Sequence, residues 1–110
     1  MTMSDAEFES KADATLSALE RALDAAGVDA DVLAKGAGLL ELEFADGSKM
    51  VINRHTAARE IWVAAKRGGF HFRHAGDGWR DTRDGSDLFA ALSRLVSAQS
   101  GATVTLEPDA

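Results

Sequence analysis

The chain has 110 residues, 45% apolar and 27% charged, the length and balance of one folded domain that buries a core without metals or disulfides. Eighteen carboxylates against 12 Lys and Arg leave a net charge of −6, which argues against a nucleic acid or an anionic membrane as partner and favours cations or a basic protein surface. The sequence has no cysteine, so disulfides, thiolate ligands and redox dithiols are excluded and any sulfur chemistry belongs to a partner.

The N-terminal Met1-Thr2-Met3-Ser4-Asp5 lacks the basic and apolar regions of a signal peptide, and no apolar run nears membrane length, so a cytoplasmic location is expected. Ser4-Asp5-Ala6-Glu7 has the S-x-x-E form of a capping box and starts a helix. Phe8, Ala12, Leu16, Leu19, Leu23 and Ala26 recur at steps of three and four, one apolar stripe, and Gly27 ends the helix. Residues 28–37 read as an irregular connection. Leu40, Leu42 and Phe44 then alternate with Glu41 and Glu43, a strand with one wet face, and Asp46-Gly47 turns the chain into a second strand from Lys49 to Arg54. A third strand spans Glu60 to Ala65. Gly68-Gly69 leads into Phe70-His71-Phe72-Arg73-His74, and Ala75-Gly76-Asp77-Gly78 turns into a short strand at Trp79-Arg80-Asp81. A second helix carries Leu88, Phe89, Leu92, Leu95 and Val96 inward and closes at Gly101, and Thr103 to Leu106 reads as a short edge strand before Pro108. The predicted fold class is α+β, a single-domain two-layer sandwich with two helices packed on one face of an antiparallel sheet and the other face open to water.

Glu9, Asp13, Glu20 and Asp24 recur along the first helix and form a stripe about a quarter-turn from the apolar one, along the rim where helix meets sheet. Asp29 and Asp31 continue it into the loop, and Glu41 and Glu43 extend it on the outer face of the first strand. Clustered carboxylates suit a hard cation or a basic partner, although a solvated helix face has the same composition. No HxxxH, ExxH or CxxC spacing fixes a metal geometry.

The ordered set Ala12-Asp13, Phe44-Ala45-Asp46-Gly47-Ser48-Lys49, Val51-Ile52-Asn53-Arg54, Ile61-Trp62-Val63-Ala64, Lys66-x-Gly-Gly-Phe-His-Phe, Gly76-Asp-x-Trp79 and Arg83-Asp-Gly-x-x-Leu88-Phe resembles the bacterial frataxins, the CyaY family, over nearly the whole chain. The resemblance implies a non-catalytic protein of iron–sulfur cluster assembly. It would bind ferrous or ferric iron weakly at Glu20, Asp24, Asp29 and Asp31 and dock on cysteine desulfurase and the iron–sulfur scaffold protein. Asn53, Trp62 and His71 match the exposed sheet surface that contacts the assembly machinery, and Asp13, Glu41 and Glu43 belong to the acidic rim that would meet a partner. A monomer is implied, with an iron-dependent oligomer as the other state. One departure is visible: Ala25, Ala26, Gly27, Val28 and Ala30 thin the ridge and Lys35 adds a positive charge, so docking is better supported than tight iron binding. An acidic interaction module with incidental iron binding is the alternative.

Trp62 alternates with Ile61 and Val63, which puts the indole on the open sheet if those two face the helices. Trp79 reads as structural. His71 and His74, three apart in a strand, point to opposite faces, and His55 reads as a solvated loop residue. Lys66-Arg67 is a hairpin turn with no helix N-terminus after it to receive a phosphate, and Arg73, Arg80 and Arg83 form a scattered basic side. A ferroxidase of the di-iron kind needs Glu-x-x-His ligands converging in a bundle, and neither helix offers that motif.

Overall fold

The computed structural model describes residues 3–76 and 78–108; Asp77, part of the turn and of the Gly76-Asp-x-Trp79 motif, lies outside them. Helix α1 (Asp5–Ala25) begins at the expected capping box: Ser4 Oγ accepts from the Glu7 amide and Glu7 Oε1 from the Ser4 amide. Six strands follow, β1 (Ala30–Ala34), β2 (Leu39–Phe44), β3 (Lys49–His55), β4 (Glu60–Ala65), β5 (Gly68–Ala75) and β6 (Gly78–Asp81), and helix α2 (Leu88–Ser100) comes last. The strands pair antiparallel in chain order β1 to β6, so each neighbour in sequence is a neighbour in space.

Both helices cover the same face. Phe8, Ala12, Leu16, Leu19 and Leu23 of α1 are buried together with Leu40, Leu42, Phe44, Met50, Ile52, Ile61, Val63 and Phe72 of the sheet and Leu88, Leu92 and Val96 of α2. The ladder register explains why one set suffices: Leu42 lies opposite Met50, Leu40 opposite Ile52, Ile52 opposite Val63 and Ile61 opposite Phe72. Period-two alternation then sends the residues between them to the open face. Trp79 belongs to the core, as expected. Its ring meets Phe8 edge-on at 5.8 Å and its Nε1 donates to Thr15 Oγ1 at 2.8 Å.

Two segments differ from the prediction. The segment taken as irregular contains β1, whose ladder to β2 (Asp31 opposite Glu43, Val32 opposite Leu42) supplies the order that its own weak apolar pattern does not. Conversely, residues 103–106 form no strand. Ser97 and Ser93 of α2 satisfy this segment's backbone, their Oγ atoms accepting from the Val104 and Leu106 amides at 2.8 Å each, and Leu106 completes the core.

Arg54, on the helix-facing side of β3, ties α1 to the sheet. Its Nη1 donates to Asp13 Oδ2 at 2.9 Å and lies 3.9 Å from Glu9 Oε1, with the side chain only 17% exposed. To reach α1 the side chain crosses Gly38, which has φ +81°, and a Cβ built there would lie 2.6 Å from Arg54 Cγ. Gly38→Ala is therefore expected to lower stability by about 1–3 kcal/mol, combining left-handed strain with a displaced Arg54. Gly36→Ala, at φ +61° with nothing near the added methyl, carries only the backbone part and should cost less. Denaturant midpoints of the two variants check this; equal losses would mean that the Arg54 crossing is unimportant.

Candidate functional surfaces

Two surfaces outside the core bring the predicted site residues into groups. The first is an open hollow of about 880 Å³ along the β1 side of the molecule, lined by Glu20 and Asp24 of α1 and by Asp31 and Glu43 of β1 and β2. Glu20 and Asp24 stand one helical turn apart, and Asp31 and Glu43 face one another across the ladder, so each pair is a local concentration of negative charge. None of the four carboxylates has a Lys, Arg or His nitrogen within 4.0 Å among the described residues, although Arg21 also lines the hollow. Asp29 is exposed just before β1 and does not line the hollow.

The remaining acidic candidates have basic partners. Asp13, with Glu9, is taken up by Arg54. Glu41 lies 3.2 Å from Lys35 Nζ and 3.7 Å from Lys49 Nζ, and the hydrogen bond from Lys35, more than the two charges, holds its carboxyl below the usual range. The stripe of α1 is thus divided: its first half fastens the helix, and its second half keeps unpaired charge. Donor chemistry in the hollow fits a hard cation, but among the described residues no three acidic or histidine side chains converge on one ion.

The second surface is the open face of the sheet. Asn53, Trp62 and His71 are register partners across β3, β4 and β5 and form one row. His55 is not in a loop: it closes β3, and its ring stacks on Trp62 with centroids 3.9 Å apart and planes 9° from parallel. His71 stacks on the other side at 4.6 Å and 22°. The indole is therefore clamped between two imidazoles. Its Nε1 donates to Glu60 Oε1 at 2.8 Å, and Arg73 Nη2 donates to Glu60 Oε2 at 2.6 Å.

Glu60 is 6% exposed although it belongs to the water-facing side, because Trp62 and its neighbours cover it. That burial pushes its carboxyl pKa up. The bonds from Trp62 and Arg73, with the charges of Arg73 and His71, outweigh it and hold the group below its ordinary 4.5. Sequence reasoning missed Glu60, His55 and Arg73. Alternation places Glu60 two residues before Trp62 and His55 two after Asn53, so the face was readable, but the ring stacking was not. Arg73 is paired here, and Arg83 packs over Phe70, so the basic side is less scattered than it reads.

The frataxin-like domain family model matches residues 1–102. The chain belongs to the frataxin family. It is 49% identical over 104 residues to the iron–sulfur cluster assembly protein CyaY of Dechloromonas aromatica, covering 94% of this chain and 99% of the relative. A protein of the same name from Cupriavidus metallidurans is 49% identical over 108 residues, covering 96% and 97%. Among solved structures, frataxin from Psychromonas ingrahamii matches with a TM-score of 0.86 at 32% identity, over 94% of this chain and 97% of that one. Trimeric frataxin from Saccharomyces cerevisiae, complexed with ferrous iron, shares the fold at a TM-score of 0.65 and 23% identity, over 92% and 89%.

The clamp makes a pH prediction. A carboxyl depressed in the folded state contributes stability above its unfolded pKa, and that contribution is lost as pH falls through the folded value. The Trp62 indole N–H resonance should accordingly titrate with a midpoint below 4.5. Arg73→Ala removes one donor and its charge and should move that midpoint upward. A wild-type midpoint at or above 4.5 contradicts the arrangement.

Proposed function

We propose that this chain is a non-catalytic accessory protein of iron–sulfur cluster assembly, working in the cytoplasm, that binds iron weakly at its acidic edge and docks on cysteine desulfurase and the scaffold protein. The observation that carries the reading is near full-length identity of 49% to relatives named for that process. The two surfaces suit its two parts. Glu20, Asp24, Asp29 and Asp31 offer exposed carboxylate oxygens to ferrous or ferric iron, with Glu43 beside them, and separate elements with no shared focus suit weak, exchangeable binding. Asn53, Trp62 and His71 present a row with an aromatic centre of the kind that anchors interfaces.

The lack of three converging ligands among the described residues also favours a second reading, an acidic interaction module in which iron is incidental. Titration with ferrous iron and with desulfurase, each without the other, separates the two. On the main reading, NMR line broadening by metal centres on residues 16–31 and 41–43, and other divalent ions compete. Broadening centred on His55 or His71 overturns the edge assignment.

Docking has its own signature. Asp24→Lys should lower the association rate with desulfurase and its salt dependence together, because the acidic edge steers encounter. Trp62→Ala should speed dissociation from the complex containing the scaffold by about 2 kcal/mol or more if the indole is an anchor. Binding kinetics at two salt concentrations decide: if neither variant differs from wild type, the docking model fails.

A further inference from the structure

The arginines fall into two groups. Arg54, Arg59 and Arg73 each reach a carboxylate, at 2.9, 2.7 and 2.6 Å. Arg21, Arg67, Arg80, Arg83 and Arg94 have none at ion-pair distance among the described residues. Three of these, Arg67, Arg83 and Arg94, come from separate elements, the β4–β5 turn, the β6–α2 loop and α2, to line one hollow of about 450 Å³. Like charges repel, so three of them sharing a cleft in a chain of net charge −6 call for an explanation.

Two of the side chains are oriented by neighbours. Arg83 Nη2 donates to the Gly69 carbonyl at 3.0 Å, with its guanidinium carbon 5.3 Å from the Phe70 ring centroid, and Arg94 Nη2 lies 3.4 Å from Ser86 Oγ. Asp81 and Asp84 also line the hollow, but both serve the turn. Asp81 Oδ1 accepts from the amides of Arg83 at 2.7 Å and Asp84 at 3.3 Å, and Asp84 Oδ1 accepts from that of Ser86 at 2.9 Å. Amide donors leave both carboxylates charged, so three guanidiniums against two carboxylates leave the wall with one net positive charge. Phe70, Ala91 and Leu95 give it a carbon floor.

We infer that this hollow binds a small organic polyanion, a short carbon skeleton bearing two or more carboxylate or phosphate groups. Guanidinium forks match a pair of oxygens on either group, which lysines would meet only as point charges. The volume lies within the range of small-molecule sites, and the apolar floor suits a carbon skeleton better than a bare inorganic ion. The hollow shares no residue with the acidic edge or with the Trp62 row, so the site stands apart from iron binding and docking.

The test is an amide NMR titration of the metal-free protein with citrate and, separately, with fructose 1,6-bisphosphate. Saturable shifts are expected at residues 67–70, 81–84 and 91–95, half-complete below about 1 mM. The probe that binds more tightly assigns the carboxylate or the phosphate class. The double variant Arg67→Gln/Arg94→Gln changes two exposed side chains and should weaken binding about tenfold or more, whereas Asp24→Asn should leave it unchanged. Arg94→Lys keeps the charge but loses the fork and should also weaken it. The inference is overturned if neither probe saturates by about 10 mM, if shifts appear equally around Arg21 and Arg80, or if the double variant binds like wild type.

Discussion

Both helices lie on the same side of the sheet, and that constraint governs nearly every residue of the structure. Each strand from β2 to β6 must supply apolar side chains at alternate positions to a single buried layer, and the intervening positions are left to water. A second covering layer would have buried Trp62 and His71 as core. With one layer, half of the sheet's side chains are free to be chosen for something other than packing, and the row across β3, β4 and β5 occupies the middle of that free surface.

The attachment of α1 sets how much acidic charge remains available. Arg54 reaches from the buried side of β3 to Asp13 and Glu9, and Gly38 leaves it room to do so. Arginine suits the position because its Nη1, with two N–H donors, lies near both carboxylates at once. Negative charge on the far half of α1 then stands next to Asp31 and Glu43 with Arg21 the one basic residue lining that hollow among the described residues, while arginines gather on the β5–β6 side. The chain is acidic as a whole yet strongly polar from one edge of the sheet to the other. Such an arrangement orients the protein as it approaches a charged surface.

Most of the architecture was legible because it rests on short-range rules. The capping box at Ser4 and Glu7, the alternation of Leu40, Leu42 and Phe44, and the close of α2 at Gly101 each depend on residues a few positions apart. What escaped depends on partners distant in sequence. Strand β1 is short, with no apolar–polar alternation to announce it, and exists through its ladder to β2, while residues 103–106 have strand-like side chains but find serine hydroxyls of α2 before any strand. The sites follow the same division. The alternation around Trp62 was readable, and so was the spacing of Glu20 and Asp24. The loss of Asp13 and Glu41 to Arg54, Lys35 and Lys49, and the burial of Glu60, need strand register and side-chain reach that no local pattern contains.

The clamp on Trp62 bears on the thermodynamics of any association through this face. Fixing a side chain at an interface ordinarily costs about 0.5–1.5 kcal/mol of rotamer entropy at the moment of binding. Here imidazoles on both ring faces and a carboxylate at the nitrogen already hold the indole. Its ordering is completed during folding, under the same cooperativity that forms β3, β4 and β5. A partner that covers this row meets a rigid aromatic plate, and little of the binding free energy has to be spent on stilling it.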